Sequence, residues 1–326
     1  MGASLAPLIW LDPAGRFDTW RVLLLLHAVS AATQDVAIDA LAINSVEPRN
    51  RGMLNGCMQA GMLTGRSVFG GGALLVSSWI GPEWMMAALV AWIVMVMPAT
   101  LLLDEPAHLA RPAAGDGRLR AGLAEMMKSR SLWLGLLFAL LSAAAFEATG
   151  QLAGPFLIDR GVQTSTLGLF FGVIVVAAML TGGLAGGRIS DRWGRVRSVG
   201  AFLAAVVAAV LVLAAADLAG ARPAVLLTLL AGMYFCVGLF VAASYALFMD
   251  LTNPRLAGTQ FSTFMAATNG CESWSALAGG RIAGSAGYPA AFLVMSVASL
   301  LSLPLLRALR TSLRHPHPEQ PSLRLN

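Results

Sequence analysis

Six ionisable side chains stand inside long apolar stretches of this chain: Asp35, Asp39, Arg66, Glu147, Glu272 and Arg281. At the centre of a bilayer each would cost roughly 2.5–3.5 kcal/mol, so each needs a reason to be there. A buried guanidinium suits an anionic group, which its planar fork can hold with two hydrogen bonds. A desolvated carboxylate takes up a proton more readily, while a nearby arginine does the opposite, so an anion and a proton can compete for the same partner. That chemistry is reversible binding rather than bond cleavage.

At about 1.5 Å per helical residue, Asp35, Arg66, Glu272 and Glu147 fall some 16–24 Å from the basic ends of their helices. That is around the middle of a hydrocarbon layer about 30 Å thick. Asp35 and Asp39 share one helix face at i, i+4, with Asp39 nearer the basic end and suited to a gate or packing role. Arg281 lies near the far end of its stretch, where it can snorkel to the interface. Gln34, Gln151, Asn269, His27, Tyr234 and Tyr245 could line a polar cavity, or hydrogen-bond between helices. The charged set could equally form fixed ion pairs, and both readings stand.

The elements that must position these groups follow from composition. Of 326 residues, 57% are hydrophobic and only 12% charged, with a mean hydropathy of +0.72. A soluble domain carries about a quarter charged residues. Runs such as 201–216 are continuously apolar rather than alternating, which excludes an outer-membrane barrel. An all-α polytopic membrane protein remains. Nine spans are expected near 21–46, 53–80, 84–103, 131–157, 165–187, 197–217, 223–249, 259–283 and 288–308. Residues 1–10 form an apolar stub too short to cross, without the basic start or cleavage site of a signal peptide. Cys57, Cys236 and Cys271 lie in apolar stretches and indicate no disulfide framework.

Sixteen of the 22 basic residues fall in alternate loops and the C-terminal tail. The positive-inside rule therefore puts those loops and the C-terminus in the cytoplasm. The net charge of +5 reads as topology rather than nucleic-acid binding. A shift of 206 positions superposes Pro48-Arg49 on Pro254-Arg255, Gly52 on Gly258, Ser67 on Ser273, Gly81 on Gly287, and Arg66 on Glu272. Such weak internal symmetry marks secondary-transporter folds, whose sites lie near the midplane between repeats.

The loop after the fifth span reads Gly187-Arg188-Ile189-Ser190-Asp191-Arg192-Trp193-Gly194-Arg195-Val196-Arg197. It resembles the G-x-x-x-D-R-x-G-R-[RK] signature of the major facilitator superfamily, and the resemblance implies a gating loop formed by Gly187, Asp191, Arg192, Gly194 and Arg195. Asp191 is suited to the N-terminus of a neighbouring helix, whose dipole favours an anion. Thr33-Gln34-Asp35-Val36-Ala37-Ile38-Asp39-Ala40 resembles the fourth helix of AmpG-type muropeptide permeases and the related peptide/acetyl-CoA transporters. Thr259-Gln260-Phe261 and Asp104-Glu105-Pro106 resemble the same group. Those permeases usually place an arginine where this chain has Leu63, and Arg51-Gly52-x-x-Asn55-Gly56-x-x-Gln59-x-Gly61 is closer to siderophore permeases.

The resemblance implies a major facilitator fold in which helices 1 and 2 and most of helix 3 are lacking. On it, 1–104 is an incomplete N-terminal bundle, 105–130 a cytoplasmic linker, 131–308 a six-helix C-terminal bundle and 309–326 a cytoplasmic tail. The expected function is proton-coupled transport of a small solute across the inner membrane, a muropeptide or peptide-like compound first and a siderophore or other organic anion second. The substrate and coupling positions would be Asp35, Asp39, Arg66, Glu147, Glu272, Gln34, Gln151 and Asn269. A transport-inactive fragment is the third alternative. Intramembrane hydrolysis is not expected, since H-E-x-x-H and G-x-S-x-G are both missing, and no Gly-rich Lys-Ser/Thr loop supports a nucleotide-driven pump. No cofactor is expected, and His315-Pro-His317 is a poor metal site. The expected partners are the solute, protons and the lipid bilayer.

Overall fold

Breaks in the apolar pattern set where helices can end. Pro82 and Pro223 each open a helix, where a missing N–H costs nothing. Gly194 and Gly287 adopt φ of 88° and 85° in tight turns between antiparallel helices, a conformation that a Cβ disfavours. The computed structural model describes residues 2–11, 15–72, 79–101, 124, 126–253 and 256–314. Most of the linker expected over 105–130, the end of the second span at 73–78, Pro254-Arg255 and the tail beyond 314 with His315 and His317 lie outside the described residues. So does the side chain of Arg66.

The chain begins with α1 (Gly2–Leu5) and a 3-10 turn (Ala6–Ile9), followed by α2 (Phe17–Ser45). Next come α3 (Arg51–Arg66), continued by a π-turn at Ser67–Gly72, and α4 (Pro82–Leu101). The second half holds α5 (Arg130–Asp159), α6 (Thr164–Trp193), α7 (Arg195–Leu218), α8 (Pro223–Leu251), α9 (Ala257–Ala286) and α10 (Tyr288–Arg310). Among the described residues each of the nine expected spans overlaps a helix, the second of them as far as Gly72. Six of them, among the described residues, are both long and apolar enough to cross a membrane, by length and composition alone. α9 has the length, at 30 residues, but dilutes its apolar surface with Gln260, Asn269 and Glu272.

The core belongs to the second half. Phe248 stacks on Phe264 at 5.1 Å and meets Phe138 edge-on at 6.2 Å. Leu203, Val206, Val210 and Leu213 line the buried face of α7. The first half is thin by comparison. Leu5 and Leu8 bury the stub against α2 and α4, whereas the most apolar window of α2 has no residue buried inside the protein.

Helix interruptions fall near the expected site. α5 breaks at Ala143, which frees the N–H of Ala145; the Ser299 hydroxyl on α10 accepts it at 2.8 Å. The second half of α5 starts there, with Glu147 in its first turn. α6 carries a π-turn at Phe170–Ile174, a distortion often found at functional sites.

Candidate functional site

Two clusters stand out, one at the arginine-rich end and one deeper in the second half. At the arginine-rich end α3 meets α6 through glycines. A Cβ on Gly52 would fall under 3 Å from the Gly187 carbonyl, and one on Gly56 equally close to the Gly183 carbonyl. The two backbones can approach only because both sides lack side chains. That approach delivers the N-terminus of α3 to Asp191. The Asp191 carboxylate accepts the N–H groups of Gly52 at 2.8 Å and Met53 at 2.7 Å, capping two donors that a helix start leaves free.

Arg195 then ties this end of the molecule together. It donates to Asp191 at 2.5 Å, to the Pro48 carbonyl at 2.5 Å and to Asp250 at 3.0 Å. Arg51 completes the set, pairing with Asp250 at 2.9 Å and donating to the carbonyls of Met249 and Ile43. These are largely buried, charge-assisted bonds. Two members were not singled out from the sequence. Arg51 reads as a loop charge, but it forms the first turn of α3, is 8% exposed and faces Asp250 at the end of α8. The signal that could have found the pair is an Asp at a helix end four residues before the repeated Pro-Arg. Of the five gating-loop positions, Asp191, Arg195 and Gly187 make these contacts, Gly194 forms the turn, and Arg192 is exposed.

In the second cluster Gln151 on α5 donates to Glu272 on α9 at 2.9 Å. Glu147, one turn before Gln151, lies within Coulombic range of Glu272 and of Tyr234 on α8. Glu147 and Glu272 are half-buried, while Gln151 and Asn269 are exposed. Beside Glu147 a cavity of about 30 Å³ is lined by Ser142, Ser244, Tyr245 and Thr268, room on the order of one water molecule. The break in α5 lies one turn before Glu147. Tyr234 carries Phe171 from the distorted turn of α6, edge-on at 6.5 Å.

Asp35 and Asp39 sit elsewhere. Val36 and Ala40 on α2 pack against Gly258 in the first turn of α9, 14 residues before Glu272. Asp35 is therefore roughly 21 Å along α9 from Glu272, toward the arginine-rich end and not beside Glu272 as the depth count implies. The count treated every helix as starting at one level, whereas α2 runs on past the start of α9. Gln34 and Asp35 are exposed and Asp39 is half-buried. Among the described residues no group of three or more His, Cys, Asp or Glu could hold a metal ion.

The sequence profile of the Major Facilitator Superfamily matches residues 1–271 and 180–325. The chain belongs to that superfamily of transporters. Anhydromuropeptide permease of Escherichia coli is 28% identical over 184 residues, which is 52% of this chain and 37% of the permease. The chain therefore matches well under half the length of that curated relative. Among solved structures, the major facilitator transporter FucP in the outward conformation aligns with a TM-score of 0.71 at 15% identity, covering 94% of this chain and 79% of FucP. The human organic anion transporter TETRAN gives 0.63 at 19% identity, over 94% and 75% of the two chains. A bacterial homologue of the iron transporter ferroportin, outward-facing, gives 0.66 at 15%, over 90% and 73%. These structures share the fold. A major facilitator fold accounts for the helices described above, and family and fold are those of transporters rather than enzymes.

Proposed function

We propose that this major facilitator protein carries a muropeptide or peptide-like solute across the cytoplasmic membrane together with protons. The observation that carries this reading is the Glu147–Gln151–Glu272 cluster, which places two carboxylates and an amide on facing helices beside a small cavity. Unneutralised carboxylates at that depth are costly unless they bind something in turn. A proton and a polar solute group are suitable alternatives for them.

In this reading the arginine-rich end and the C-terminus face the cytoplasm. The Arg51–Asp250–Arg195–Asp191 network is then the closed inner gate, and the carboxylate cluster faces the outer side. Loading Glu147 or Glu272 relieves the repulsion between α5 and α9 within the second half, and the glycine seam between α3 and α6 lets the two halves rock. Arg66, on the same helix as the seam, is the intended partner for an anionic group. Asp35, Asp39, Gln34 and Asn269 take secondary roles along the path.

The test is uptake of labelled anhydromuropeptide by cells expressing the chain, with and without a protonophore. Uptake that collapses with the protonophore and in Glu147→Gln supports the proposal. Uptake indifferent to both would remove proton coupling, and an absence of uptake above vector controls would remove the solute class.

A further inference from the structure

On the outer face of the second half, at the arginine-rich end, basic groups from three separate helix ends converge. The last turns of α10 pack against the start of α5 and against α7. Leu306 and Leu309 are buried there, and Leu306 reaches Gly200 on α7. Arg307 and Arg310 leave the same segment on its exposed side. Arg197 in the first turn of α7, together with Lys128 and Arg130 at the start of α5, is exposed as well. Unlike Arg51 and Arg195, none of these five holds a carboxylate among the described residues.

Two exposed tryptophans frame the group. Trp193 lies under the Arg197 guanidinium at 5.8 Å. Trp133 is pinned by its indole N–H to the Met127 carbonyl at 2.8 Å. Indoles in that position mark headgroup depth. Charge in loops is enough to set topology, but here the charges sit on packed helix ends whose apolar sides are buried.

We propose that this surface binds anionic phospholipid headgroups of the adjoining leaflet, with Arg197, Arg307 and Arg310 on phosphate oxygens and the two tryptophans at the glycerol level. Guanidinium forks match phosphate geometry, and each basic group near an anionic surface contributes about 1 kcal/mol.

The experiment reconstitutes the full chain in bilayers containing brominated phosphatidylglycerol or brominated phosphatidylcholine. The quenching lost in a Trp133→Phe/Trp193→Phe variant isolates these two indoles. Brominated phosphatidylglycerol is expected to quench them at a mole fraction about fivefold lower, the equivalent of one such contact. The difference should vanish in Arg197→Gln/Arg307→Gln/Arg310→Gln and in about 1 M salt, where the screening length falls to about 3 Å. Equal quenching by both lipids in the native chain would overturn the proposal. If the triple variant fails to insert, the salt titration decides alone: a preference unchanged in high salt overturns it too.

Discussion

At the residue scale the chemistry rests on side chains held by few partners. Asp250 neutralises Arg51 and bridges to Arg195. Asp250→Asn leaves a buried guanidinium without its counter-charge, expected to cost about 3–5 kcal/mol. Detergent thermal unfolding checks this, and the gate should open more readily, read as faster modification of a cysteine introduced at Gln59, which is buried in the seam. Ser299 accepts the N–H released by the break in α5, so Ser299→Ala strands a buried donor. A loss of about 1–3 kcal/mol follows; Ser299→Thr should keep most of the stability. At the other end, Arg160 lies outside the spans and donates twice to Asp217, a side chain only 2% exposed. That hydrogen bond, followed by the charges of Asp217 and Asp159, holds the guanidinium pKa above its ordinary value. Arg160 therefore stays charged at every accessible pH, and its removal rather than its titration is the informative perturbation.

At the element scale the glycine seam between α3 and α6 sets how closely the halves can meet. Gly187→Val would push Cβ and its methyls into the backbone of Gly52. The expected result is a protein that inserts normally but whose arginine-rich end stays open, with intensified labelling of a cysteine at Gln59. The seam rests on glycines four apart, Gly52 and Gly56 on α3 against Gly183 and Gly187 on α6. The helices were legible in the sequence, since long apolar runs bounded by Pro, Gly and Arg leave little choice. The break at Ala143 was not legible: nothing in Leu-Leu-Ser-Ala-Ala-Ala-Phe disfavours a continuous helix, and the partner that stabilises the break lies over 150 residues away. Asp35 was misplaced because depth counted along one helix ignores how far its neighbour is offset. Arg51 and Asp250 escaped notice because pairing between remote helix ends has no local pattern.

At the scale of the whole molecule, the account joins a sealed arginine-rich end to a pair of carboxylates deeper in the protein. The seal is built from backbone contact, a capped helix start and four charged side chains. The carboxylates sit on facing turns of α5 and α9, close to the break in α5. What these features would do together is exchange a proton for a gate movement while a solute occupies the space between. The most direct test is simultaneous recording of proton and solute flux in proteoliposomes holding the purified chain. Anhydromuropeptide addition should alkalinise the outside as the labelled solute enters, and Glu272→Gln should abolish that proton signal while leaving the protein folded. Solute entry without proton movement, or a proton signal unchanged in Glu272→Gln, would contradict the account.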